Sequence, residues 1–242
     1  MVDSDRIFLT AEWRYLAMLN YEVDPKLLLA LVPAGTELDS YDGKAFISLV
    51  GFRFLDTRVF GFPVPFHTNF DEVNLRFYVR RWLGNEVRRG VVFVREVVPR
   101  WAIAAVARTV YNENYIALPM AHLISRKEGG MAVEYRWKIG NRWSVLSVDV
   151  EGEPRPLAAG SHEQFITEHY WGYAAQKDSG SVEYRVTHPS WRVRTAQYSK
   201  FEGNVEELYG NEFATVLRRA PCSALLAEGS AVEVMRGRRL RA

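Results

Sequence analysis

The chain has 242 residues, of which 48% are apolar and 25% charged, and its formal net charge is +2. That composition excludes disorder as the main state, and the near-neutral charge supplies no overall field to attract nucleic acid or an anionic membrane. A single cysteine, Cys222, excludes an intramolecular disulfide framework and a cysteine-rich zinc site, and the longest apolar runs (27–32 and 101–107) fall far short of the ~20 residues of a membrane-spanning helix.

The first residues are polar and charged with no apolar run behind them, so a cytoplasmic protein is expected. Residues 13–23 carry β-type side chains without a helical stripe. Residues 24–33 read as a short helix, with Asp24 as its cap, Pro25 at its first position and Pro33 as its stop. Residues 44–54, 73–82 and 90–98 partly alternate apolar with polar, as half-buried strands do, and a hairpin is expected near Gly84-Asn85. Arginines 80, 81, 88 and 89 around that hairpin read as a solvated turn.

Residues 100–110 make the longest helix candidate. Strands at 131–139 and 142–150 flank a tight turn at Gly140-Asn141. Residues 161–170 form a helix candidate in which Ser161 and Gln164 have the capping-box spacing. A strand at 182–187, a short helix at 205–208 and a strand pair at 223–226 and 231–235 complete the pattern, followed by a solvated arginine-rich tail. The irregular order of strands and helices excludes a doubly wound sheet. The expected fold is a single α+β domain over 1–242, mainly antiparallel β, curled or closed as a barrel with a few short helices.

Phosphate-cradling glycine motifs, the G-x-S-x-G elbow and H-E-x-x-H are all absent. The histidines at 162 and 169 stand about two turns apart on a helix, too far to share a metal ion, so neither a metal nor a cofactor is expected. Cys222 reads as a small buried residue in a strand. Two local groupings carry chemistry. Glu72, Asn74 and Arg76 share one face of a strand and would form a polar site if that face lines a cavity. Glu168-His169-Tyr170 ends a helix, and His188-Pro189-Ser190-Trp191 follows further on.

Several segments together carry a family resemblance. They are 8–14, Asn20-Tyr21, the 24–33 helix, and 70–79 with its E-V-N-x-R-x-Y-V core. Gly160-Ser161 then leads through Phe165 to Thr167-Glu168-His169-Tyr170, and Val186-x-His188-Pro189-x-Trp191 closes the set. In this order the chain resembles the YqjF-like family of uncharacterised conserved proteins, and more distantly acetoacetate decarboxylase, whose β-barrel fold that family shares. The resemblance places Arg14 at the position of a decarboxylase active-site arginine and Glu72 near an active-site glutamate. A second glutamate of that pattern falls around 48–50, where this chain has no acid.

The decarboxylase works through a lysine whose amine is activated by a second cation and an apolar pocket. In this chain Tyr115 and Ile116, or Met120 and Ala121, stand where that lysine pair would fall. None of the six lysines lies in an apolar pocket motif. Schiff-base decarboxylation is therefore disfavoured.

Three readings stay open at this point. The first is an enzyme in which Arg14 holds a carboxylate and Glu72 acts as general acid or base, with Asn74, Arg76, Tyr115, Met120, Glu168 and His188 contributing to substrate binding. Lyase or hydratase chemistry on a small oxo acid suits those parts. The second is a small-molecule binding protein without chemistry. The third is a barrel filled by its own aromatic residues. The expected partner is a small-molecule ligand, with no nucleic acid and no membrane, and homo-oligomers are compatible with all three readings.

Overall fold

The computed structural model describes residues 6–100 and 114–240. Among them are fifteen strands and three helices. The strands are β1 (Ile7–Val23), β2 (Glu37–Leu38), β3 (Ala45–Val59), β4 (Phe62–Pro63), β5 (Phe70–Leu83), β6 (Glu86–Val98), β7 (Tyr115–Ala117), β8 (Met120–Lys127), β9 (Gly130–Ile139), β10 (Arg142–Glu151), β11 (Trp171–Ala175), β12 (Ser181–Thr187), β13 (Val193–Glu202), β14 (Ser223–Met235) and β15 (Arg238–Leu240). The helices are α1 (Lys26–Leu29), α2 (His162–Thr167) and α3 (Val205–Leu217). The helix expected at 100–110 lies, beyond its first residue, outside the described residues.

Hydrogen-bonded neighbours run β12-β11-β6-β5-β3-β1-β14, and β14 also pairs with β12 at Val186↔Val234 and Thr187↔Glu233. The path of pairings thus returns on itself through seven strands. From β14 a further path continues through β13, β10, β9 and β8. The sheet is mixed and not purely antiparallel, because β6 runs parallel to both β7 and β11.

Two cores follow from this layout. The odd-numbered apolar residues of β5 (Val73, Leu75, Phe77, Val79) pack outward against Val133, Tyr135, Trp137 and Leu146 of β9–β10 and against α3. The even-numbered set (Phe70, Tyr78) packs inward with Leu16, Met18, Val50, Phe52 and Phe54. β5 is therefore covered on both faces, which is why its central part is buried residue after residue.

Two irregularities decide which side chains face inward. β1 carries an extra residue between Arg14 and Ala17 relative to β3, with Tyr15 at φ 58°. β6 carries an extra residue, Val94, opposite the Leu75/Arg76 step of β5. Such bulges shift the two-residue alternation by one. Trp13 and Leu16 consequently face the same interior, as do Phe93 and Glu96.

Local chemistry accounts for the helices. The Asp24 carboxylate accepts from Lys26 N at 2.9 Å ahead of α1. Ser161 Oγ accepts from Gln164 N at 3.1 Å, and the Gln164 side chain accepts in turn from Gly160 N at 2.7 Å, which fastens the start of α2. α3 continues well past the expected 205–208. Gly210 breaks its backbone at φ 83°, and Phe213 and Leu217 beyond the break dock in the outer core.

Four further expectations change. The strand pair expected at 223–226 and 231–235 is one strand, β14. The tail is not frayed as far as Leu240: β15 pairs with β12, and Arg238 joins Arg81 and Arg88 around the fully buried Glu183 carboxylate. The arginines of the β5–β6 hairpin are thus partly spent on an internal acid and are not a free basic surface. Cys222 is exposed ahead of β14, where its thiol donates to Asn20 O at 3.2 Å. No helix among the described residues is long and apolar enough to cross a membrane.

Candidate functional site

Inside the strand ring lies a cavity of about 210 Å³. Its walls are mostly aromatic. Trp13 meets Phe52 and Phe54 edge-on at 5.3 and 5.6 Å, and Phe54 stacks on Phe70 at 4.5 Å. Against this apolar wall β5 presents Glu72, Asn74 and Arg76 from one face, as its two-residue period requires.

Glu72 is 2% exposed. Its Oε1 accepts from Asn74 Nδ2 at 3.0 Å and its Oε2 from the Tyr115 hydroxyl at 3.3 Å. Burial pushes its pKa up to about 7, while Asn74, Tyr115 and the charge of Arg76 pull the other way. The carboxyl is therefore poised to hold or release a proton near neutrality. Arg76 donates from Nη2 to Ile166 O at 3.2 Å and lies 5.8 Å from the Tyr78 ring centre. The Asn74 carbonyl oxygen and Arg76 Nε are buried without a hydrogen-bond partner in the protein. Buried polar atoms without a partner are rare in folded proteins, and these two leave hydrogen-bonding capacity open at the cavity wall.

β6 adds a second carboxyl that the sequence reading did not single out. Glu96 pairs across the strands with Asn74, is 1% exposed and lines the cavity. The Val94 bulge turns it inward, and no period-2 pattern in the sequence reveals that. Tyr115 arrives on β7, which runs parallel to β6 beside Glu96.

The segment after α2 and the 188–191 loop also line the cavity. His169 lines the cavity with its side chain 1% exposed, and its Nε2 lies 3.6 Å from Asp39 Oδ2. His188 also lines it, with its ring stacked on Trp191 at 4.1 Å. Burial lowers the His188 pKa, so its ring is neutral at pH 7. Glu168 lies outside the lining. It accepts from Ser190 Oγ at 2.6 Å and from Gln164 Nε2 at 2.8 Å, and so ties the 188–191 loop to α2.

Arg14 does not meet Glu72. The β1 bulge leaves both Arg14 and Tyr15 on the outside of the ring, where Arg14 pairs with Glu12 at 2.6 Å and donates to Gly229 O at 3.1 Å. It lines a separate surface cleft beside Arg126 and Arg194. Met120 is also outside the cavity, packed on the outer core at the start of β8. The structure therefore brings together Glu72, Asn74, Arg76, Tyr115 and His188 of the expected set, and separates Arg14, Met120 and Glu168 from them. Glu96 and Asp39 are the residues that sequence reasoning missed, and His169 was named in the 168–170 grouping without a binding role. For His169 a signal existed in its place within T-E-H-Y.

All six lysines are among the described residues, and none lines the cavity. Among the described residues no group of three or more His, Cys, Asp or Glu side chains is placed to hold a metal ion.

Comparison with known proteins agrees with this architecture. A model of a family of uncharacterised conserved proteins matches residues 10–231. The uncharacterised protein YqjF of Bacillus subtilis (strain 168) is 26% identical over 205 residues, covering 82% of this chain and 80% of that protein. Among solved structures, an acetoacetate decarboxylase-like enzyme from Sphingomonas wittichii RW1 superposes with a TM-score of 0.65 at 14% identity, covering 100% of this chain and 95% of that one. The enduracididine biosynthesis enzyme MppR complexed with pyruvate gives 0.64 at 15% identity, covering 96% of this chain and 90% of that one. These two likenesses establish an acetoacetate decarboxylase-like fold.

Proposed function

The chain belongs to the DUF2071 family of uncharacterised conserved proteins, and from that premise we propose that its strand ring is a barrel whose interior receives a small carboxylated or oxo-acid-like metabolite. In this reading Arg76, and not Arg14, holds the anionic or carbonyl oxygen of the ligand. Its planar guanidinium suits a carboxylate, and its Nε has no partner in the protein. Glu72 is the general acid or base, and Asn74 and Tyr115 orient its carboxyl. The aromatic wall takes the apolar body of the ligand. The chemistry is of lyase or hydratase type without a Schiff base, since no lysine amine reaches the cavity.

The observation that carries this reading is a carboxyl buried in an apolar cavity, bonded by an amide and a phenol, two residues from an asparagine and four from an arginine on the same strand face. A structural neighbour that binds pyruvate makes 2-oxo acids the first compounds to try.

The test is thermal melting of the wild type, Arg76→Ala and Glu72→Gln with pyruvate, phenylpyruvate and acetoacetate. A ligand at a hundred times its Kd adds about 2.7 kcal/mol to stability. The expected result is a rise in Tm for the wild type that Arg76→Ala loses. A folded wild type that none of these compounds stabilises would overturn the proposal. The aromatic wall and the missing lysine also suit a binding protein without chemistry. Following the stabilising compound by NMR separates the two, because only an enzyme changes it.

A further inference from the structure

Asp39 and His169 form a titratable pair at the cavity wall that the roles of Glu72 and Arg76 leave unused. They come from distant parts of the chain. Asp39 follows β2, where its backbone N–H donates to Tyr78 O at 3.0 Å. His169 follows α2, whose start is fastened by Ser161 and Gln164. The imidazole is held between two rings, 4.6 Å from Tyr78 and edge-on to Phe165 at 5.1 Å. Its Nε2 faces Asp39 Oδ2 at 3.6 Å, an orienting charge contact longer than a hydrogen bond. Neither ring nitrogen is hydrogen-bonded within the protein.

Behind His169, Asp39 is fully buried. Arg89 Nε stands 3.3 Å from Oδ2, Arg80 Nη1 stands 3.8 Å from Oδ1, and Ser40 N donates to Oδ1 at 3.0 Å. Burial alone would raise the Asp39 pKa, but His169, Arg89 and the Ser40 amide outweigh it and hold the carboxyl ionised. The charged groups that act on His169 are Asp39, Arg76 and Arg89. Burial lowers its pKa further than Asp39 raises it, so the ring is a neutral base at pH 7. Arg76 lines the same cavity as Glu72, His169 and His188, and its charge acts on all three.

We propose that His169, oriented by Asp39, is a second acid–base residue of this cavity, which removes a proton from the carbon next to the carbonyl of a ligand held by Arg76 while Glu72 protonates the carbonyl oxygen. The inference rests on the ligand class proposed above and adds the reaction centre. In the step, the C–H bond breaks and its proton passes to Nδ1, the nitrogen turned from Asp39. The freed electron pair forms a carbon–carbon double bond. The carbonyl oxygen takes the Glu72 proton, giving an enol, a Glu72 carboxylate and an imidazolium paired with Asp39. The reverse step restores all three groups, and no oxidant or reductant is consumed.

In deuterium oxide the returning proton is a deuteron, so the step is visible without knowing the final product. The experiment follows the methyl protons of pyruvate by proton NMR with the full chain. Protein-dependent exchange is expected, with a bell-shaped pH profile that requires neutral His169 and protonated Glu72. His169→Gln should slow it by about a hundredfold, the usual contribution of one acid–base group. Asp39→Asn should slow it and move the acidic limb to lower pH, a shift that a merely structural role would not cause. Circular dichroism checks that each variant folds, and the wild-type profile stands as evidence if His169→Gln does not fold. Exchange at the wild-type rate in a folded His169→Gln overturns the inference, as does a wild-type profile with only the Glu72 limb. So does a wild type that pyruvate stabilises without exchange, and in that case the binding proposal survives. If pyruvate and the other oxo acids give no stabilisation, the binding proposal fails first.

Discussion

At the scale of single residues, the protein keeps an acid in a place that disfavours its charge. Glu72 holds its proton to about pH 7 in the fold, whereas the ordinary value is 4.5. Below about pH 4.5 the carboxyl is protonated in both folded and unfolded chains. Between that point and about 7 the unfolded chain gives up the proton and the folded chain keeps it, so stability falls as pH rises. The shift corresponds to about 3 kcal/mol, fully lost above pH 7. Glu72→Gln removes this dependence and keeps an acceptor for Asn74. Urea unfolding at pH 5 and pH 8 should therefore show a smaller loss in the variant, and equal losses would mean that Glu72 titrates as an ordinary surface glutamate. The stripe Glu72, Asn74, Arg76 was legible because strand alternation alone puts the three on one face. Glu96 and Asp39 were not, since one is turned inward by a bulge and the other meets its histidine only through the folded chain.

At the scale of elements, the bulges govern the site. Without the extra residue in β1, Trp13 and Leu16 could not share the interior, whereas Glu12 and Arg14 precede the bulge and pair on the face opposite Trp13 by alternation alone. The strand opposite is shaped to match. Gly229 of β14 has φ 77°, and a side-chain carbon there would run into the Trp13 carbonyl oxygen. Gly229→Ala should therefore cost more than the 1–3 kcal/mol of backbone strain alone, by roughly a further 1 kcal/mol or more. Gly35→Ala supplies the control, because Gly35 has φ 81° with nothing near its missing side chain. The urea midpoints of the two variants give the comparison, and equal losses would show that β1 yields to the added methyl without resistance. Alternation and turn residues placed most of the long strands, including both hairpins at Gly84-Asn85 and Gly140-Asn141. The second half of α3 was hidden because Gly210-Asn211 reads as a helix end, and only docking of Phe213 and Leu217 on the outer core carries the chain on.

At the scale of the whole molecule, one strand ring separates two cores, and that division decides which chemistry is available. The lysines are distributed outside the inner core, with Lys44 paired to Glu22 and Lys127 to Asp149. Incubation with pyruvate and sodium borohydride should accordingly leave no reduced adduct on any lysine by peptide mass spectrometry. A stoichiometric adduct on one lysine would require a cavity different from the one described. The Glu183 carboxylate, buried among Arg81, Arg88 and Arg238, pins the chain end and the β5–β6 hairpin to β12 near the seam where β12 meets β14.

The sequence by itself determined the β-rich class, the family, the polar stripe of β5 and the lack of an amine where a decarboxylase would need one, because each of these is local or compositional. Only the tertiary structure decided that Arg14 faces outward, that Glu96 and His169 join Glu72 around one cavity, and that Asp39 stands behind the histidine. Those placements depend on bulges, on closure of the strand path and on contacts across 130 residues of chain between Asp39 and His169, and no two-residue or helical period carries that information.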